Sequence, residues 1–207
     1  REGCLVKRYK KNLKILEQNH VYSKSMEHDA CGVGLVASTE GKKSRKIVEY
    51  GIEALKAVWH RGAVDADGKT GDGAGIHIEI PPDFFIEKIE TKGHKHDNSE
   101  ICIGMVFLPR NNFNAQESCK IIVEKELTQS NFKIYGWRQV PINTKVLGKK
   151  ANNNRPEITQ ILFKYNDKNL IDKALERKLY ETRRKIENEI IKNNHEGFYI
   201  CSLSSKS

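Results

Sequence analysis

The sequence predicts a domain that mixes strands and helices in an α/β-type pattern starting at Cys31. Three observations carry this. Apolar runs of strand length, such as residues 32–37 and 101–108, alternate with stretches whose apolar residues recur at helical spacing. The 207 residues suffice for one ordinary domain or most of a larger one. No run reaches the roughly 18–20 continuous apolar residues of a membrane helix.

Taken in order, residues 1–26 are polar and basic, lack sustained periodicity and read as a leader. The chain begins with Arg1 rather than Met, so an origin in a longer product is expected. Residues 31–37 read as a buried strand and Gly41 as a turn. Ile47, Val48, Ile52, Leu55, Val58 and Trp59 form a helical stripe over 44–59. Residues 60–75 make a loop rich in Gly and Asp. Ile76, Ile78 and Ile80 alternate with His77 and Glu79, the pattern of a half-buried strand, which Pro81-Pro82 stops. A short helix over 84–90, a polar loop over 92–99 and a strand over 101–108 follow. Asn114 as N-cap, with Glu117 three residues on, opens a helix that runs to about Leu127. Strands are expected at 132–140 and 158–165, separated by an Asn-rich loop over 149–155. Ile171, Leu175, Leu179, Ile186 and Ile190 mark an amphipathic helix over 170–192, and residues 198–203 a last strand. A strand so close to the end reads as a C-terminally truncated domain.

Thirty-six Lys and Arg against 27 Asp and Glu give a net charge of +9. The excess is spread along the chain rather than gathered on one face, and no nucleic-acid motif accompanies it, so a solvated surface is favoured over a nucleic-acid interface. No apolar h-region follows the basic N-terminus, so no secretory signal is read. The five cysteines, Cys4, Cys31, Cys102, Cys119 and Cys201, are odd in number and lack a C-x-x-C pair. That argues against a disulfide framework and a structural zinc site, and for a reducing cytoplasm. Cys102, Cys119 and Cys201 lie in apolar patterns and read as buried core residues.

Cys31 stands apart, in Asp29-Ala30-Cys31-Gly32-Val33-Gly34, where the leader meets the first strand. Cleavage at Ala30–Cys31 would make Cys31 N-terminal. Its α-amine, with a reference pKa of about 7.7–8.0, would then serve as general base toward its own thiol. On this motif alone a core cysteine at a strand start remains the other reading. The loop from His60-Arg61-Gly62 to Gly73-Ala74-Gly75 suits close backbone approach to a ligand, with Arg61 as a fixed cation. It is not a P-loop, because five residues separate Gly62 from Gly68-Lys69-Thr70 where the pattern has four, and the loop follows a helix. It is not an EF-hand, because Lys69 takes the third ligand position. His94-Lys95-His96-Asp97 reads as an exposed loop rather than a metal site.

Together, Ala30-Cys31-Gly32-Val33-Gly34 and the run from Gly51 through Trp59-His60-Arg61-Gly62 to Gly75 resemble the N-terminal glutaminase domain of glutamate synthase large subunits, a class-II glutamine amidotransferase. Val106-Phe107-Leu108-Pro109-Arg110, Tyr135-Gly136-Trp137-Arg138-Gln139-Val140-Pro141, Arg155-Pro156-Glu157-Ile158 and Phe198-Tyr199-Ile200-Cys201-Ser202-Leu203-Ser204 extend the match over about residues 27–207. The resemblance implies an α+β fold, the Ntn-hydrolase four-layer αββα sandwich with two antiparallel sheets. It implies that residues 1–30 are a propeptide and 31–207 the N-terminal part of the amidotransferase domain. Cys31 is then the nucleophile that forms a glutamyl thioester, and Arg61 the active-site arginine beside it. The Asn-Gly oxyanion hole and most glutamine-gripping residues are expected after Ser207, which implies an inactive fragment. The domain itself needs no cofactor or metal. The whole enzyme would use FMN, an iron–sulfur cluster and an electron donor or small subunit to aminate 2-oxoglutarate. Its partners would be glutamine and the other domains, with no nucleic acid and no membrane. Another Ntn-type amidohydrolase and a basic binding module without enzymatic activity remain as competing readings.

Overall fold

A computed structural model of the chain describes residues 11, 12, 14, 15, 18, 19, 32–58, 64–71, 73–97 and 99–207. Helix α1 (Arg45–Ala57) and helix α2 (Pro82–Glu90) precede strand β1 (Ile101–Leu108). Helix α3 (Phe113–Gln129), strand β2 (Phe132–Gln139), helix α4 (Lys149–Asn154), strand β3 (Glu157–Tyr165), helix α5 (Asp172–Lys192) and strand β4 (Tyr199–Ser204) follow. No described helix is long and apolar enough to cross a membrane. In the segment read as a leader without periodicity, Lys11, Asn12, Lys14, Ile15 and Gln18 are helical.

The four strands form one sheet in the order β2-β3-β1-β4. Every neighbouring pair is antiparallel. The sequence alternates strand and helix, which reads as α/β, yet the fold is α+β. β1 and β2, joined through α3, run parallel but leave a gap that β3 fills; β3 and β4, joined through α5, leave a gap that β1 fills. Interleaving two such units turns a parallel-looking pattern into an antiparallel sheet. Gly104 makes the centre possible. A Cβ there would stand 2.7 Å from Ile161 Cγ2 and 2.8 Å from Leu203 Cδ1, so only glycine lets both flanking side chains close over β1. Gly136, at φ 131, lies at the irregularity where β2 shifts register against β3.

One sheet face packs against α3 and α5. Val106 and Phe163 from the sheet meet Val123 and Leu127 from α3 and Leu179 and Ile186 from α5. Each such burial contributes about 1.5–3 kcal/mol. On the other face α2 sets Phe85 and Ile89 against Ile101, Ile103, Tyr135 and Leu162. The rest of that face, with Met105 and Phe107 half-buried and Tyr199 55% exposed, has no layer over it among the described residues.

Several expectations need correction. Residues 32–37 of the strand expected over 31–37, and residues 76–80, are irregular rather than strands, and Cys31 lies outside the described residues. Val33 is 95% and Leu35 91% exposed, because an extended segment becomes a strand only when a neighbour takes its N–H and C=O groups. Ile80 keeps one such bond, its N–H donating to the Lys206 carbonyl at 2.9 Å. The N-cap of α3 is Asn112, whose side chain accepts from Ala115 N–H, not Asn114. Residues 149–154 are helix rather than loop. Cys201 is exposed, on the uncovered side of β4, rather than buried.

Candidate active site

Ala30, Cys31 and Arg61, the residues on which the sequence places the chemistry, lie outside the described residues. Their chain neighbours are described. A Cβ on Gly32 would lie 3.6 Å from Val58 Cβ and Cγ2, so the residue that follows Cys31 runs against the C-terminal end of α1. From there the chain leads directly into the His60-Arg61-Gly62 motif. Ile76 Cδ1 approaches the Gly51 position to 3.3 Å, and Lys43 pairs with Glu79 at 2.6 Å. The segments flanking the two sequence signals therefore converge on α1.

Past Arg61, the loop is built from its own aspartates. Val64 and Gly71 form an antiparallel bridge, and Asp65 N–H donates to the Thr70 carbonyl at 2.6 Å. Asp67 Oδ1 accepts from Lys69 N–H at 2.9 Å and Thr70 N–H at 2.6 Å, and Oδ2 accepts from the Thr70 hydroxyl at 2.6 Å. The Thr70 hydroxyl, then the Thr70 and Lys69 amides, hold the Asp67 carboxyl well below the usual carboxylate range. Gly68 supplies the φ of 67 that the turn requires. Lys150 Nζ donates to Asp65 Oδ2 at 2.6 Å, which lowers the Asp65 pKa and raises that of Lys150. The loop and α4 border an open groove of about 390 Å³ lined by Asp65, Asp67, Lys149, Lys150 and Asn153.

The described thiols are poor nucleophiles or lie on the sheet. Burial pushes the Cys102 thiol far up and the Cys119 thiol up to about 11. Cys201 is exposed on β4. Among the described residues no group of three or more His, Cys, Asp or Glu is placed to hold a metal ion. In the His94–Asp97 loop, Asp97 is occupied by Lys164 at 2.5 Å and Lys168 at 3.3 Å, and the His94 ring lies 5.5 Å from that of Tyr135. The outlying motifs are scaffold. Trp137 Nε1–H donates to Glu124 at 2.6 Å across β2 and α3, and Arg138 donates to Gln160 at 2.6 Å and lies over the Phe84 ring.

The helix-flanked antiparallel sheet, in a sequence that contains Cys-Gly-x-Gly and Arg-Gly motifs, agrees with comparison to known proteins. The chain belongs to the class-II glutamine amidotransferases, whose family model matches residues 31–207. It is 51% identical over 96% of its length to the "Glutamate synthase [NADPH] large chain" of Azospirillum brasilense. It is 39% identical over 92% of its length to the "Ferredoxin-dependent glutamate synthase" of Pyropia yezoensis. It is 34% identical over 87% to the chloroplastic ferredoxin-dependent enzyme of Spinacia oleracea. The chain spans 13%, 12% and 11% of the lengths of these three relatives.

Proposed function

We propose that the chain is the start of the glutaminase domain of a cytoplasmic glutamate synthase. The observation that carries this is the family match from Cys31 onward, joined to 51% identity with a glutamate synthase large chain. Residues 1–30 act as a propeptide whose removal between Ala30 and Cys31 frees the Cys31 α-amine. That amine takes the thiol proton as Sγ attacks the side-chain amide carbon of glutamine. The C–N bond then breaks, the proton returns to the leaving nitrogen as ammonia departs, and a γ-glutamyl thioester remains. Water adds to the thioester with the amine again as base, the C–S bond breaks, and glutamate leaves. Arg61, beside the nucleophile, holds its loop and the reacting amide in place.

The four-layer αββα sandwich fits the uncovered sheet face. In this reading a second sheet covers Met105, Phe107 and Tyr199. Ammonia is used on 2-oxoglutarate in another domain, with electrons from a small subunit or another donor. FMN and an iron–sulfur cluster supply the redox chemistry there. The described cysteines do not fit a cluster, since Cys102 and Cys119 are buried in the core.

The test is made on the full-length enzyme. N-terminal sequencing and intact mass are expected to show a mature chain beginning at Cys31. A fully active enzyme that retains residues 1–30 overturns the mechanism, because Cys31 then has no free amine.

A further inference from the structure

The loop that carries the Arg61 motif is not free-standing. It is seated on the N-terminal end of α4, far along the chain, through a gap left by one missing side chain. Gly148 is the N-cap of α4 and so has no capping group of its own. The space its side chain would fill is taken by the loop: a Cβ there would stand 2.2 Å from Thr70 Oγ1, 2.4 Å from Asp67 Oδ2 and 2.6 Å from Thr70 N. Thr70 Oγ1 accepts from Ala151 N–H at 3.4 Å, so the loop lends α4 the cap that Gly148 lacks. Lys150 closes the contact from the other side through Asp65 at 2.6 Å.

The glycine is required by this contact and not by its backbone. Gly148 sits at φ −66 and ψ 160, which any residue adopts. Thr70 N is backbone, so an added Cβ cannot be accommodated by a side-chain swing, and the whole loop must lift.

We propose that this dock is the positioning device of the Arg61 loop. Asp67 and Thr70 are its positioning residues, and Gly148 is the gap that admits them. The inference rests on the role of Arg61 given above and adds to it what fixes that residue's loop. A shift of about 1 Å in a group that orients substrate costs on the order of 100-fold in rate. Lifting the loop therefore impairs glutamine use while the Cys31 thiol and the synthase chemistry remain.

The experiment uses the full-length enzyme with Gly148→Ala, Thr70→Ala and Thr70→Ser beside Arg61→Ala. Glutamine-dependent kcat and KM are measured, with ammonia-dependent synthesis as the control for folding. Cys31 labelling is followed with 6-diazo-5-oxo-norleucine, which is shaped like glutamine, and with iodoacetamide, which is not. Gly148→Ala and Thr70→Ala are expected to lower kcat/KM for glutamine by about 10- to 100-fold. The same variants should slow labelling by the glutamine-shaped reagent and leave iodoacetamide labelling and ammonia-dependent synthesis unchanged. Thr70→Ser, which keeps the hydroxyl, restores glutamine use. Unchanged glutamine kinetics in Gly148→Ala, with Arg61→Ala inactive, overturn the dock alone. Parallel loss of both activities and both labelling rates also overturns it, as a purely structural contact. Arg61→Ala that still uses glutamine overturns the reading of Arg61, and the proposal with it.

Discussion

Residues 32–80 and residues 82–205 are built on different terms. Every buried apolar side chain among the described residues lies from Phe85 to Leu203. Between residues 32 and 80 no described residue is buried, and α1 has no buried face. Yet the first region holds most of the run from Gly51 to Gly75 that carries the sequence resemblance, and the second holds matched motifs that pack a sheet. The second is fixed by close packing, where each methylene matters. The first is fixed by a few directed contacts: the bridge within 64–71, the dock on Gly148, Lys43 with Glu79, and Ile80 with Lys206. Chemistry on anchored loops and stability in a separate core is the usual division in enzymes.

The widest separation between the regions should appear in activity. Cys31→Ala in the full-length enzyme is expected to abolish glutamine-dependent glutamate formation while ammonia-dependent synthesis survives in part, as a coupled assay with each nitrogen source will show. Equal loss of both would assign Cys31 to the scaffold and erase the contrast.

In stability the order reverses. Leu179→Ala removes a fully buried side chain from α5 and should cost about 2–5 kcal/mol. Ile78→Ala, at a residue 41% exposed, should stay within about 0.5 kcal/mol. Urea midpoints of the two variants decide the matter; similar losses would mean that the 73–80 segment is covered in solution. Gly104→Ala falls between them, at about 1–3 kcal/mol, because the ends of Ile161 and Leu203 must move aside.

The same division governs what the sequence could reveal. In the sheet half, periodicity placed β1, β2, β3, β4 and α5 within a residue or two, since burial leaves a periodic trace. It missed α4 because the helix 149–154 is polar and its cap comes from Thr70, so neither a stripe nor a local capping residue marks it. It favoured Asn114 over Asn112 because Glu117 completed a capping-box spacing that the backbone does not use. In the other half the apolar alternation of Ile76, Ile78 and Ile80 is real, but alternation states only that a face wants cover, not that the covering residues lie nearby. The readings of Cys31 and Arg61 rest on motif chemistry joined to a family resemblance, and both residues lie outside the described ones, whereas the dock depends on Gly148, a glycine with no motif around it.

Thiol chemistry sharpens the contrast within the sheet half. With Cys4 and Cys31 replaced by Ser, iodoacetamide at pH 8 should modify Cys201 and spare Cys102 and Cys119 until the chain unfolds. Mass spectrometry of the digested protein reads this directly. Protection of Cys201 would show that its face of the sheet is covered.

The smallest effect concerns the surface pairs that trim the sheet. Lys164 first, then Ser99 and Lys168, hold the Asp97 carboxyl well below the usual carboxylate range. Its folded pKa is thus depressed from an unfolded value of about 3.9. A depressed carboxylate contributes stability above the unfolded pKa and loses it as pH falls through the folded pKa. Asp97→Asn should therefore lower stability at neutral pH, and the gap to the parent chain should narrow below about pH 4. Because the Asp97 side chain is 38% exposed, the gap should be small and should shrink in high salt. Thermal melts at pH 7 and pH 3, each with and without added salt, separate the outcomes. A gap that is the same at both pH values would mean that the loop is held by the Asp97 hydrogen-bond geometry and not by its charge.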